Sequence, residues 1–215
     1  MGYAVSMEKR IAKSLAWRQC KLIKDENLVP SAVLVLLFQK DGVDHVLLTK
    51  RSDKVEYHKG EISFPGGRAD PQDSDLLETA LREAAEEIGL VPGDVKILGR
   101  LDDISTATTG FIVTPYVGLI GYPYPFRINA NEIAELVFVP LQALAKACHI
   151  EAREAPWEEP KAAGCHFRYG DYIVWGATAR ILKQFLDITI PTTDPGRTGI
   201  GARGSTSMGS KGRKS

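Results

Sequence analysis

The sequence predicts an α+β fold or a compact α/β sandwich, because short apolar runs typical of strands are mixed with segments of helical spacing. The order of these segments shows no regular strand–helix–strand alternation, which favours the same two classes. The length of 215 residues, with 44% hydrophobic and 25% charged residues, suffices for one domain with a proper core.

The first predicted elements are a helix and a pair of strands. Residues 7–23 are basic and predict a helix that packs on the domain, with one side formed by Ile11, Leu15, Ala16 and Leu22. A transit peptide is the alternative for this segment. Residues 32–38 and 45–49 predict two strands joined by the turn Lys40-Asp41-Gly42. A loop rich in glycine, proline and charge then covers residues 51–72.

The strongest helix signal covers residues 75–88 and stops at Gly89. Asp75 and Glu78 have the spacing of a capping box at its start. Further strands are predicted at residues 95–98, 113–120 and 136–140, a short helix at 141–148, and a strand end leading into a final helix at 172–186. We divide the chain into a basic helical extension (1–27), a main domain (28–190) and a flexible, basic tail rich in glycine and serine (191–215).

The charge of the chain is balanced in total but uneven along its length. There are 27 basic and 27 acidic residues, and this neutrality argues against a dedicated nucleic-acid binder. Residues 191–215 carry five basic residues and one acidic residue, whereas residues 61–90 carry eight acidic and two basic residues. The acidic segment either holds a cation or forms a solvated face.

The cysteine pattern and the apolar runs bear on location. The three cysteines, Cys20, Cys148 and Cys165, are scattered and form no CxxC pair, which favours a reducing, cytoplasmic compartment. No apolar run reaches the roughly 18 residues needed to cross a bilayer. We therefore expect a cytoplasmic protein with no membrane partner, and a homodimer is one possible assembly.

The helix at residues 75–88 carries the first sign of a function. Glu83, Glu86 and Glu87 can lie on one side of it, in its last two turns. Negative charge there opposes the helix dipole, typically by about 0.3–1 kcal/mol per exposed group. A Mg²⁺ or Mn²⁺ ion would reverse this penalty, because such ions prefer hard oxygen ligands. The alternative is a solvated Glu-rich face.

The turn Phe64-Pro65-Gly66-Gly67 precedes this helix and can bring a backbone carbonyl up to such an ion. With this loop and helix, the chain resembles the Nudix hydrolases, whose box reads G-x5-E-x7-R-E-U-x-E-E-x-G-U, where U is a bulky aliphatic residue. The part from Arg82 to Leu90 matches every fixed position, with Ala84 at the first aliphatic site. In the first half Asp73 stands where Glu is expected, and the next spacer is one residue longer.

This resemblance implies a fold and an activity. The fold is an α/β/α sandwich with a mixed β-sheet between helices. The activity is hydrolysis of the diphosphate bond of a nucleoside diphosphate linked to another moiety, with Mg²⁺ or Mn²⁺ as cofactor. The resemblance also implies metal ligation by Glu83, Glu86, Glu87 and the Gly67 carbonyl. Glu83 alternatively serves as the general base, and Arg82 orients one of these carboxylates.

Further site residues are expected outside the box. Glu132 is favoured over Glu135 as a further catalytic carboxylate from a later loop. Expected substrate contacts are Arg51, Lys59, Arg68 and Phe111, with ordinary core or loop packing as the alternative for each. The aromatic segment that holds Tyr122, Tyr124 and Phe126 either stacks on a base or packs in the core.

Motifs outside the box resemble the coenzyme A diphosphatase branch of the family. They lie at residues 47–52, 60, 64–73, 79–83, 109–115 and 175–182. That branch places an Arg four residues before its Gly, and here Glu56 stands there, with Lys54, His58 and Lys59 nearby. Coenzyme A or a derivative is thus the expected substrate, and ADP-ribose, nucleotide sugars or other nucleotides are the alternative. A non-catalytic nucleotide-binding module is disfavoured because all three box carboxylates are present.

Overall fold

The computed structural model describes residues 6–56, 58–106, 109–146, 148–149 and 166–190. The helices are α1 (Met7–Ala16), α2 (Leu76–Ile88), α3 (Leu141–Lys146) and α4 (Gly176–Thr189), with a 3-10 turn at Pro92–Asp94. The strands are β1 (Val29–Lys40), β2 (Val43–Arg51), β3 (Ile62–Ser63), β4 (Gly66–Arg68), β5 (Lys96–Arg100), β6 (Ile104–Ser105), β7 (Phe111–Leu119), β8 (Ile133–Pro140), β9 (Cys148–His149), β10 (His166–Tyr169) and β11 (Tyr172–Val174). This mixture confirms the predicted α+β class.

The main sheet is mixed, as the resemblance implied. Its eight strands include the order β3-β2-β1-β7-β5, with β4 paired to β1, β6 to β7 and β8 to β2. The pair β1–β7 is parallel, and the other described pairs are antiparallel. A second sheet has the order β11-β10-β9.

Strand β1 is buried on both faces, and its alternating side chains enter two separate cores. Val35 and Leu37 join a cluster with residues of α1 and α4. Leu34 and Leu36 join a second cluster with Ala80, Ala84 and Ile88 of α2. The sheet therefore lies between helices, and the predicted α/β/α sandwich is confirmed.

The N-terminal helix is shorter than predicted. It ends at Ala16, and beyond it the backbone N–H groups of Lys21 and Ile23 donate to the Asp102 and Asp103 carboxylates at 3.0 and 2.9 Å. Ile11 and Leu15 are buried against the sheet as predicted. Ala16 and Leu22 are exposed, so placing them on the packed side was wrong.

The β1–β2 hairpin and helix α2 agree closely with the sequence. Asp41 and Gly42 both have positive φ, 50° and 75°, as a tight two-residue hairpin turn requires. The Asp75 side chain caps α2 by accepting from the Glu78 N–H at 2.8 Å, and Gly89 ends the helix with φ 69°. Glu78 in turn accepts from the Ser74 N–H at 2.7 Å.

The C-terminal part differs more from expectation. Helix α3 ends at Lys146, and Cys148 and His149 form strand β9, so extending the helix to residue 148 was wrong. Strands β9 and β10 pair across 17 residues of chain separation, which local patterns do not reveal. Cys165 and the predicted tail at 191–215 lie outside the described residues. Among the four helices described, none has the length and apolar character needed to cross a membrane.

Candidate active site

The candidate site forms where β4 meets the last two turns of α2. Strand β4 pairs antiparallel with β1, placing Gly67 opposite Ala32, and the Pro65 carbonyl accepts from the Leu34 N–H at 2.9 Å. The loop Phe64–Gly67 is therefore fixed to the sheet beneath α2. Two segments that are separate in the sequence, the Gly-Gly loop and the acidic helix end, meet here.

Gly66 and Gly67 both lie so close to neighbouring atoms that a side chain would not fit. A Cβ atom on Gly67 would lie 2.3 Å from Oε2 of Glu83. Gly66 has φ 146°, and a Cβ atom there would lie 2.3 Å from the Ala32 carbonyl oxygen. The Gly66 N–H donates to Oε2 of Glu87 at 3.2 Å. The absence of side chains thus lets the β4 backbone contact two of the predicted metal ligands.

Glu87 is almost fully buried, with 2% of its surface exposed. Burial raises the pKa of Glu87 to about 8, against the lowering effects of the Gly66 N–H and Arg51. Glu83 and Glu132 add negative charge close by, which raises it further. Such a carboxylate is unfavourable as an anion unless positive charge is brought to it.

Glu83 lies beside Glu87 and is partly buried, with 19% of its side chain exposed. Burial raises the pKa of Glu83 too, while hydrogen bonding and attraction from Arg82 lower it. Perturbed carboxylates that share one place are typical of functional sites. Glu86, by contrast, is 55% exposed along its side chain, and its contact is with Arg82.

The Arg82 guanidinium connects the two halves of the site. Its Nη1 donates to Glu83 at 2.8 Å and to Glu86 at 3.2 Å. Its Nε and Nη2 donate to the two Asp73 carboxylate oxygens at 2.9 and 3.1 Å, and Nη2 also bonds the Arg68 carbonyl at 3.1 Å. All five of its N–H groups therefore have acceptors, which fixes the fork in one orientation. The prediction that Arg82 orients a box carboxylate agrees with this geometry.

Asp73 is the residue that anchors Arg82, although the sequence left its role open. It also accepts from the Thr79 hydroxyl at 2.7 Å and from the Asp70 N–H at 2.9 Å. The hydrogen bonds from Arg82 hold the pKa of Asp73 well below its usual range. Aspartate is shorter than the glutamate of the box, and the spacer that follows it is one residue longer. Asp73 nevertheless places its carboxylate against the Arg82 guanidinium.

Replacing Asp73 by asparagine is expected to lower kcat/KM by about tenfold, because the amide nitrogen would face the Arg82 donors and loosen the fork. Steady-state kinetics with a diphosphate substrate would measure this. Asp70→Asn is the matched control. Among the described residues, the Asp70 side chain accepts one hydrogen bond, from the Gln72 N–H at 2.9 Å, and an amide oxygen keeps that bond. Equal activity of the two variants would show that Asp73 does not position Arg82.

The later carboxylates separate into two environments. Glu132 lies close enough to Glu83 and Glu87 to affect the pKa of both, and its Oε1 accepts from the Asn129 side chain at 2.9 Å. Glu135 instead accepts from the Tyr172 hydroxyl at 2.5 Å, at the second sheet. The geometry therefore favours Glu132 over Glu135, as the sequence did.

The predicted substrate contacts are only partly brought together. Arg51 lies at the cluster: its Nη1 is 3.9 Å from Oε1 of Glu87, and its Nε is buried without a hydrogen-bond partner among the described residues. Arg68 follows Gly67 directly, and its side chain is exposed. Lys59 is exposed on the loop between β2 and β3, near the Arg51 backbone. Phe111 packs against the cluster on the other face of the sheet.

Glu56, which stands where the resembled branch has an arginine, lies among exposed residues. Glu56, Lys54 and His58 all lie on the β2–β3 loop, and His58 Nδ1 lies 2.9 Å from Oε1 of Glu61. His58 is thus engaged locally, whereas Lys54 and Lys59 have no ion-pair partner in the described part of the chain.

The aromatic segment packs within the fold. Tyr122 stacks on Phe38 with ring centroids 4.9 Å apart, and the Tyr124 hydroxyl donates to Asp94 at 2.9 Å. Phe126 packs against the same cluster as the inner face of α2. Of the two interpretations that the sequence left open, core packing accounts for all three rings.

The donors at the site suit a hard divalent cation. Gly67 forms a cradle that a Cβ atom would fill, and the carboxylates of Glu83 and Glu87 lie against β4. Across the described residues, no three or more histidine, cysteine, aspartate or glutamate side chains form a ready metal-binding group. Glu83 and Glu86 direct oxygens to Arg82 instead. The ligand set inferred from the sequence therefore stays a prediction.

This chain resembles known proteins in sequence and in structure. Residues 28–159 match the NUDIX domain family. The chain is 39% identical over 144 residues to an uncharacterized Nudix hydrolase NudL of Yersinia enterocolitica, covering 65% of this chain and 71% of that protein. It is 36% identical over 139 residues to the NudL of Yersinia pestis, covering 65% and 69%. A solved structure of a C. elegans Ap4A hydrolase binary complex aligns at 20% identity with a TM-score of 0.46, covering 55% and 85%.

Proposed function

The chain belongs to the Nudix hydrolase family and is a Nudix diphosphatase, and from this premise we propose that it cleaves the diphosphate bond of coenzyme A or a derivative. The activity resides in residues 28–190. The observation that supports diphosphate hydrolysis at this site is the approach of Gly67 to Glu83, with Glu87 buried beside them. This approach joins the two halves of the box in one place.

A divalent cation, Mg²⁺ or Mn²⁺, would be held by Glu83, Glu86, Glu87 and the Gly67 carbonyl. Nudix hydrolases generally depend on such an ion, and these donors are all hard oxygens. When bound there, such an ion would supply positive charge to a diphosphate and would lower the pKa of a bound water. It would also neutralise Glu87, whose burial otherwise disfavours the carboxylate.

The side chains of this chain then have separable tasks. Arg82 is held by Asp73 and fixes the orientation of the Glu83 carboxylate. The same guanidinium also contacts the Glu86 carboxylate. Glu132 or Glu83 takes the proton from the attacking water, since both lie in the acidic cluster. Arg51 offers positive charge at its edge for a phosphate group. Phosphoryl transfer needs little more than such placement and charge neutralisation.

Coenzyme A is proposed as the substrate from the sequence motifs that resemble its diphosphatase branch. Arg51 belongs to one of these motifs and lies beside Glu87, which supports the proposal. Glu56 runs against it, because a carboxylate repels a phosphorylated ligand. ADP-ribose and nucleotide sugars carry fewer phosphate charges and are the alternative substrates.

A substrate panel would test the proposal. We would assay coenzyme A, ADP-ribose, dinucleotides and nucleotide sugars with Mg²⁺ and with Mn²⁺, and identify products by mass. Cleavage of coenzyme A should give phosphopantetheine and adenosine bisphosphate. Turnover of ADP-ribose with none of coenzyme A would replace the proposed substrate by the alternative.

The charge of Glu56 gives a second prediction. Glu56→Arg is expected to raise kcat/KM for coenzyme A by about several-fold, because reversing a surface charge changes the attraction of a charged ligand by about this much. The kcat/KM for ADP-ribose should change less. Glu26→Arg is a matched control, because Glu26 is also exposed but precedes β1. The same change with both substrates would dismiss a role of Glu56 in selection.

A further inference from the structure

We propose that α1 and the segment that follows it, residues 9–24, bind the surface of membranes that contain anionic lipids. The contact surface, which we call the Trp17 surface, consists of Lys9, Lys13, Trp17, Lys21, Leu22 and Lys24. It requires no spanning helix. It differs from the expectation of no membrane partner, which rested on the lack of an apolar run long enough to cross a bilayer. It does not rest on the diphosphatase activity.

The apolar part of the Trp17 surface is unusual for this chain. Trp17 and Leu22 are 89% and 56% exposed, the two highest values among the large hydrophobic residues that the structure describes. Such side chains normally gain from burial, and Trp is favoured where a membrane meets water. Both lie within six residues of each other, which distinguishes them from scattered exposed hydrophobics.

The charge of the segment is complementary to an anionic surface. Residues 9–24 contain six basic residues and no acidic residue. Arg10 and Arg18 pair with Asp44 and Asp102 of the main sheet region. The remaining four lysines are exposed and have no ion-pair partner among the described residues. Asp25 and Glu26 follow the segment and limit the basic surface on that side.

The fold presents this surface rather than hiding it. The apolar side of α1 is already used, because Met7, Ile11 and Leu15 are buried in the core shared with α4. Lys9 and Lys13 lie on the solvent side of α1, and the exposed Trp17, which caps the helix, continues their i, i+4 spacing. Beyond the helix, Asp102 and Asp103 hold the backbone of Lys21 and Ile23. The lysines and the two apolar side chains are therefore displayed on an ordered segment.

A lipid surface fits better than a nucleic acid. Lysines beside exposed Trp and Leu are the composition of interfacial elements, in which apolar groups enter the headgroup region and lysines contact anionic lipids. A nucleic acid would use the lysines but would gain little from the aliphatic Leu22. We therefore commit to anionic lipid as the partner.

The test is sedimentation of the full chain with vesicles of phosphatidylcholine, with and without phosphatidylglycerol. We expect binding to the anionic vesicles that weakens with salt. Two variants should bind at least about tenfold more weakly. One combines Trp17→Ser with Leu22→Ser, and the other changes the four lysines to glutamine. Val91→Ser is the matched control, because Val91 is 54% exposed on another part of the molecule. This variant should bind vesicles as the parent chain does.

A second readout locates the contact. Lipids brominated in their acyl chains should quench the fluorescence of the parent chain, and Trp17→Phe should remove this quenching. The proposal is overturned if the parent chain does not bind anionic vesicles at low salt, or if both multiple variants bind as well as Val91→Ser. Tighter binding to an oligonucleotide than to vesicles, lost in the lysine variant, would assign the surface to nucleic acid instead. Circular dichroism would verify that the variants are folded.

Discussion

Replacing Glu87 by glutamine is expected to lower Mg²⁺-dependent turnover by about a hundredfold or more, because a cation ligand worth several kcal/mol is lost. The fold should survive. Glutamine has nearly the same shape, its amide oxygen can accept the Gly66 N–H, and a neutral group suits a site that is 2% exposed. The measurement is kcat as a function of Mg²⁺ concentration. Glu86→Gln should cause a similar loss without affecting stability, because Glu86 is largely exposed.

Glu78→Gln provides the matched control for both changes. Glu78 lies on the same helix and is exposed at its other end, where glutamine can still accept from the Ser74 N–H. Its activity should stay near that of the parent chain. Full activity in both Glu86→Gln and Glu87→Gln would refute the metal-site proposal. Loss in only one of the two variants would keep that residue in the proposed ligand set and remove the other.

Changing Gly67 to alanine is expected to lower kcat by about tenfold to a hundredfold, since small misplacements of catalytic groups have costs of this size. The new Cβ atom would lie 2.3 Å from Oε2 and 2.5 Å from Cδ of Glu83, so the carboxylate must move. Moving it breaks or strains its 2.8 Å bond with Arg82. The effect should fall on activity more than on stability, because the displaced atoms end a side chain.

Gly93→Ala is the control for this variant. A Cβ atom on Gly93 would have no heavy atom within 4 Å, and its φ is not positive. Kinetics and thermal unfolding of both variants would separate the two effects. Normal kinetics of Gly67→Ala would show that Glu83 need not contact β4 for catalysis. A large fall in melting temperature would show instead that the loop is needed mainly for folding.

Local patterns in the sequence predicted the elements that are formed by neighbouring residues. Helix α2 was placed within one residue at its start and at its observed end, because its cap, its apolar periodicity and Gly89 are all local signals. The β1–β2 hairpin followed from two short apolar runs and a turn with glycine between them. The three box glutamates were identified because their spacing on α2 is fixed by helix geometry.

The missed features depend on contacts between distant residues. Strand β4 has only three residues, and it exists because it pairs with β1 more than thirty positions earlier. Asp73 could have been found by looking for a carboxylate near the expected Glu position, but its pairing with Arg82 depends on how the loop folds. Leu22 was misplaced because α1 ends at Ala16, and Asp102 and Asp103 hold the backbone of Lys21 and Ile23 in a non-helical path. Ala16 is still in the helix, but it lies one residue beyond Leu15 and turns away from the buried side.

By itself, the sequence determined the fold class, the acidic helix and the family resemblance, since each depends on residue types at fixed local spacing. Only the tertiary structure decided which groups form one site. Packing α2 on β1 brings Glu83 and Glu87 against the β4 backbone, buries Glu87 and raises its pKa to about 8. Spacing along a helix sets the direction of a side chain, but its burial and its charged neighbours come from chain segments that meet only when the sheet is complete.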